Sequence, residues 1–120
     1  MTKAQSSKQY DLEDRTLAFA RQVRAFVSSL PKSTANFEDG KQLVRSSGSV
    51  GANYIEANEA LSKKDFVMRI KVCRKEAKES CYWLNLVTID GSLQEKARQC
   101  LANEATELMK IFGAILQKSK

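Results

Sequence analysis

Seven basic residues crowd between Lys63 and Lys78: Lys63, Lys64, Arg69, Lys71, Arg74, Lys75 and Lys78, against Asp65 and Glu76. Seven cations less two anions leave +5 of the chain's net +6 in about four helical turns. At helical spacing Lys64, Lys71, Arg74, Lys75 and Lys78 share one side, with Tyr82 one turn further on. Such a row can track a phosphate backbone, and a tyrosine can stack on a base. The plainer reading is a solvated lysine face.

The other groups able to do chemistry are four carboxylates, Glu56, Glu59, Glu76 and Glu79. The chain has no His, so it lacks an imidazole base, a Ser-His or Cys-His nucleophile pair and the Glu-x-x-His ligand set of carboxylate metal bundles. No GxxxxGK[ST] phosphate loop is present. The simpler fate of the glutamates is ion pairing with Arg45, Arg69 and Arg74 where the second and third helices meet. Pairs of that kind set register more than they add stability. Cys73, Cys81 and Cys100 form no CxxC pair and fall on apolar faces. They read as buried, reduced thiols of a cytoplasmic protein. No catalytic residue, metal site or cofactor is expected, and an enzyme would need a pocket holding Glu56 and Glu76 away from arginine.

The elements that must carry these residues follow from apolar spacing. One Pro and five Gly in 120 residues leave long runs without a breaker, which favours helices. Residues 1–10 are polar and read as a flexible N-terminus; residues 11–118 read as one domain. MTKAQSSKQYDLEDR has no apolar stretch of a secretion signal, and no apolar run reaches a membrane span, so no membrane partner is expected. Leu12, Thr16, Phe19, Ala20, Val23, Phe26, Val27 and Leu30 form the first helical face, capped by Asp11 and stopped before Pro31. Ser33 or Thr34 caps a second helix with the seam Leu43, Ser47, Val50, Tyr54, Ala57 and Leu61. Ser62 and Asp65 open a third helix in capping-box fashion, running to Ile89 with core residues Phe66, Ile70, Cys73, Ala77, Cys81 and Leu84. Gly91 is expected to close it and Ser92 to cap a fourth helix. Leu93, Ala97, Cys100, Leu101, Ala105, Leu108, Ile111, Phe112 and Ile115 should form the core face of that helix. Four such helices with short turns predict an all-α, antiparallel up-down-up-down four-helix bundle.

Two further apolar bands exceed what one small bundle can bury. On the second helix they are Val44, Gly48, Gly51 and Ile55; on the third, Met68, Val72, Trp83 and Leu86. Glycine costs roughly 1 kcal/mol inside a helix relative to alanine, so Gly48 and Gly51 point to close approach of another backbone, or else to a kink at Gly48. The surplus of apolar faces predicts self-association.

The stretch Gln42 to Leu86 also carries a resemblance. QLVRSSGSVGANYIEA at Gln42 to Ala57, SKKDFVMR at Ser62 to Arg69 and KEAKESCYWLNL at Lys75 to Leu86 resemble the four helix bundle protein family of bacteria, known from intervening sequences of the large ribosomal RNA gene. DLEDRTLAFA at Asp11 to Ala20 and LPK at Leu30 to Lys32 fit as well. The resemblance implies an antiparallel four-helix bundle assembling as a homopentamer. It also implies kinship with the accessory protein of diversity-generating retroelements, a basic ring that binds a reverse transcriptase and nucleic acid. It brings no catalytic residues.

The expected function is therefore a non-enzymatic homo-oligomer that binds RNA or DNA, RNA favoured, through Lys63, Lys64, Lys71, Arg74, Lys75, Lys78 and Tyr82. The alternative is a protein-interaction scaffold whose lysine face is only a soluble coat.

Overall fold

The computed structural model describes residues 11–120; the stretch 1–10, expected to be a flexible tail, lies outside the described residues. Four helices follow in order: α1 (Leu12–Ser29), α2 (Thr34–Asn58), α3 (Lys63–Leu86) and α4 (Gly91–Lys118). No strand occurs among the described residues. Each helix packs along the next in sequence, and α1 reaches α4 over a shorter stretch. That neighbour pattern is the antiparallel up-down-up-down bundle.

Local signals start the helices. The Ser33 hydroxyl accepts a hydrogen bond from the Asn36 N–H at 3.0 Å, and the Ser62 hydroxyl accepts from the Asp65 N–H at 3.0 Å. Each such cap contributes about 1 kcal/mol. Leu30 is extended, with ψ 150°, as a residue before proline prefers.

Two helix ends differ from expectation. α2 stops at Asn58 and leaves Leu61 99% exposed, outside the seam assigned to it. Its last turn tightens: Glu59 N–H bonds the Glu56 carbonyl and Ala60 N–H the Ala57 carbonyl. Ser62 must be extended to cap α3, so the chain has to leave the helix before it. α3 stops at Leu86, short of Ile89, because Val87 turns extended and buries its side chain. Gly91 does take a positive φ of 88°, but as the first residue of α4, with Asp90 and not Ser92 at the cap position.

The core runs through Phe19, Val23, Leu43, Val50, Ile70, Cys73, Leu84, Leu108 and Phe112. On α4 it is narrower than the apolar spacing suggests. Leu101, Ala105, Leu108 and Phe112 are buried, whereas Leu93, Ala97 and Cys100 are exposed. At about 100° per residue Leu93 and Cys100 fall roughly a quarter-turn from the buried face, and Ala97 sits at its edge. Cys73 alone of the three thiols is buried; Cys81 is half-buried.

The small residues of RSSGSVGA let α2 sit close to two neighbours. Ser46 and Ser80, both buried, share a hydrogen bond of 2.8 Å across α2 and α3. A Cβ on Gly51 would lie 2.7 Å from Thr16 Oγ1 and 3.1 Å from Thr16 Cβ on α1. The close approach expected at Gly51 is thus to α1 of the same chain. A Cβ on Gly48 meets nothing within 4 Å, and α2 runs through Gly48 without a break.

Candidate nucleic-acid interface

The outward face of α3 is fixed by what its other sides touch. Ile70, Cys73, Ala77 and Leu84 enter the core, Glu76 and Ser80 meet α2, and Cys81 faces Thr106 on α4. What remains is the side bearing Lys64, Lys71, Lys75, Lys78 and Tyr82, all exposed, over about 27 Å of helix. Lys63 and Arg74 are exposed as well. Arg74 stands at the α4 edge, its Nε 4.0 Å from where a Gly113 Cβ would lie. Among the described residues none of these seven basic or aromatic side chains is in an ion pair.

Met68 and Leu86, 56% and 47% exposed, lie on this same side, within about 40° of Lys64 around the helix. Two of the four residues of the apolar band assigned to self-association, Met68 and Leu86, therefore share the surface of the basic stripe assigned to an anionic partner. Val67 and Met68 floor a hollow of about 440 Å³ rimmed by Lys63, Lys64 and Lys71. Val72 is half-buried.

Trp83 behaves differently from its band. It packs against the core and donates its indole N–H to Glu79 Oε2 at 3.0 Å. Arg45 on α2 donates to the same oxygen at 2.7 Å and reaches Glu76 Oε1 at 3.4 Å. The Trp83 N–H and the Arg45 guanidinium hold the Glu79 carboxyl below its usual range. The hydrogen bond to Glu79 in turn raises Arg45. Tyr82 rests edge-to-face on Trp83, centroids 4.9 Å apart and planes at 75°. Of the remaining predicted ion-pair residues, Arg69 donates to Asn53 Oδ1 at 3.0 Å, an amide in place of a carboxylate. Glu56 is exposed and out of reach of Arg45 and Arg69.

A second surface lies on α2. Phe37, 66% exposed, continues the line of Val44, Gly48 and Ile55 at helical spacing. Phe37 and Val44 face Val27, Leu30 and Pro31 across a cleft of about 820 Å³, whose rim includes Lys32 and Lys41. Lys41 Nζ sits 5.1 Å from the Phe37 ring centre, a cation–π distance. Phe37 lies off the heptad seam because it stands about 120° round the helix from Leu43, and its seven-residue spacing from Val44 is visible in the sequence.

Among the described residues no group of three or more His, Cys, Asp or Glu side chains could hold a metal. No helix among them is long and apolar enough to cross a membrane. Every buried side-chain nitrogen or oxygen among them has a hydrogen-bond partner.

These features define an all-α four-helix bundle whose third helix carries exposed lysines. Residues 8–114 match the model of the 23S rRNA-intervening sequence protein family, and the chain belongs to that family. A crystal structure of a protein with unknown function from the S23 ribosomal protein family of Bacteroides thetaiotaomicron is similar to it. The two share 30% sequence identity with a TM-score of 0.77, over 90% of this chain and 96% of that one. No curated protein matches.

Proposed function

We propose that the protein is a non-enzymatic homo-oligomer, a pentamer in keeping with the family resemblance, that binds RNA in the cytoplasm through the outward face of α3. The observation that carries this reading is the row Lys64, Lys71, Lys75 and Lys78, all exposed and, among the described residues, in no ion pair within 4.0 Å, with Lys75 alone acting on a nearby carboxylate, Glu79. Exposed lysines held in no close ion pair are available to displace counterions from a phosphate chain. The family's description as a 23S rRNA-intervening sequence protein makes RNA the first polyanion to try. Self-association would use the Phe37, Val44, Gly48 and Ile55 line on α2, which leaves the α3 lysines free. Repetition of the stripe around an assembly multiplies its contacts and its avidity.

The test is anisotropy titration of a structured RNA over a salt series. The expected result is affinity that falls steeply with salt, and a shallower slope in Lys71→Glu/Lys75→Glu. A flat response in the wild type would sink the reading.

The Phe37–Val44 cleft favours a second reading, a protein-interaction scaffold with the lysines as a soluble coat. It predicts an assembled mass by light scattering together with no salt-dependent RNA affinity.

A further inference from the structure

Lys64, Lys71 and Lys78 form one row on the α3 face, and Tyr82 falls at the angle of Lys64; Lys75 lies about 20° to one side of it and Met68 and Leu86 about 40°, Leu86 one turn beyond Tyr82. A duplex presents phosphates on both edges of each groove and keeps its base faces stacked inside. It has no use for an exposed ring flanked by Leu86. An unpaired strand carries phosphates along one edge and free base faces along the other, which is the arrangement this surface complements. We infer that the ligand of the α3 face is unpaired RNA, with bases stacking on Tyr82 beside Leu86 and phosphates following the lysine row. This deepens the RNA-binding proposal and rests on it.

The ring is set in place before any ligand arrives. Tyr82 leans on Trp83, Trp83 is tied to Glu79 at 3.0 Å, and Glu79 is tied to Arg45 of α2 at 2.7 Å. A side chain already ordered loses less freedom on binding. Tyr82 is nonetheless 59% exposed, so its surface is not used up by the protein. Glu79 is thereby a positioning residue, acting through Trp83.

The experiment compares an unstructured single-stranded RNA with a duplex RNA of equal length at one salt concentration. The proteins are wild type, Tyr82→Ala, Tyr82→Phe and Glu79→Gln, each checked for folding by circular dichroism. The wild type should prefer the single strand although the duplex carries more charge. Tyr82→Ala should lose about five- to tenfold in single-strand affinity, the lower part of what base–aromatic stacking supplies. Duplex affinity should be unchanged. Tyr82→Phe should keep single-strand affinity, because stacking needs the ring and not the hydroxyl. Glu79→Gln removes an anion beside Lys75 and so favours both RNAs, but its single-strand-to-duplex affinity ratio should fall between those of wild type and Tyr82→Ala, and it should weaken the quenching of Trp83 fluorescence by bound RNA. Equal or tighter duplex binding, or a Tyr82→Ala variant that matches wild type on the single strand, overturns the inference and leaves RNA binding by the lysines standing. Loss of all salt-dependent binding in the wild type overturns both.

Discussion

Asn36 holds both main-chain groups of Thr88. Its Oδ1 accepts from the Thr88 N–H at 2.9 Å, and its Nδ2 donates to the Thr88 carbonyl at 2.8 Å and to the Pro31 carbonyl at 2.9 Å. One buried amide therefore joins the α1–α2 turn to the α3–α4 turn, 52 residues away in sequence. Asn36→Ala would leave a donor and two acceptors without these partners at that end of the bundle. It should cost about 1–2 kcal/mol, since three hydrogen bonds are lost while the freed main-chain groups of exposed Thr88 and half-buried Pro31 can turn to water. Urea denaturation should show a lowered midpoint with an unchanged slope.

Gly48 and Gly51 share a stripe yet should respond to alanine with opposite signs. Gly51→Ala places a methyl 2.7 Å from Thr16 Oγ1, and that hydroxyl is itself held by the Leu12 carbonyl at 2.7 Å. The clash should destabilise by about 1–3 kcal/mol. Gly48→Ala meets open space within the chain and gains helix propensity, up to about 1 kcal/mol. Thermal melts of the two variants give the signs. Light scattering of Gly48→Ala adds a separate readout, because a lower mass would place Gly48 against another subunit.

The four helices are legible in the sequence because apolar spacing, Pro31, Ser33 and Ser62 act within a few residues. The misplaced ends have longer-range causes. Nothing near Thr88 says that Asn36 will tether it out of α3, and nothing near Leu61 outweighs a heptad that continues on paper. The candidate site divides in the same way. The lysine row is periodic and readable. That Trp83 serves Glu79 and Arg45 depends on a contact spanning 34 residues, Arg45 to Glu79. The close approach of Gly51 to Thr16 likewise depends on how α1 and α2 cross. A one-helix pattern contains neither.

Glu79 should make stability depend on pH. Its folded carboxyl lies below its unfolded value, mainly through the Trp83 N–H and then Arg45. The stabilisation is therefore present above the ordinary carboxylate range and lost as pH falls through the folded value. Glu79→Gln should be less stable than wild type at pH 7, and the gap should close as the solution is acidified below the usual glutamate range. Parallel melts across that window measure it. A gap that stays constant would assign the effect to packing of the amide and not to charge.

The three thiols should separate by reactivity. Cys100 is exposed, Cys81 is half-buried with its Sγ 4.0 Å from Thr106 Oγ1, and Cys73 is buried in the core. Burial also pushes the Cys73 thiol up to about 12, so its reactive thiolate is scarce at neutral pH while the bundle stays closed. An aromatic disulfide reagent at pH 8 should label Cys100 first and Cys81 more slowly. Cys73 should react only in denaturant, at a rate set by unfolding. Cys100→Ser should remove the fast phase and leave stability unchanged, because its side chain lies a quarter-turn from the buried face of α4. If the fast phase persists in that variant, α4 is not held on the bundle at Cys81 as the contact with Thr106 requires. A fast phase absent from the wild type would mean that a second copy of the chain covers the first turns of α4, where Leu93 is 82% exposed.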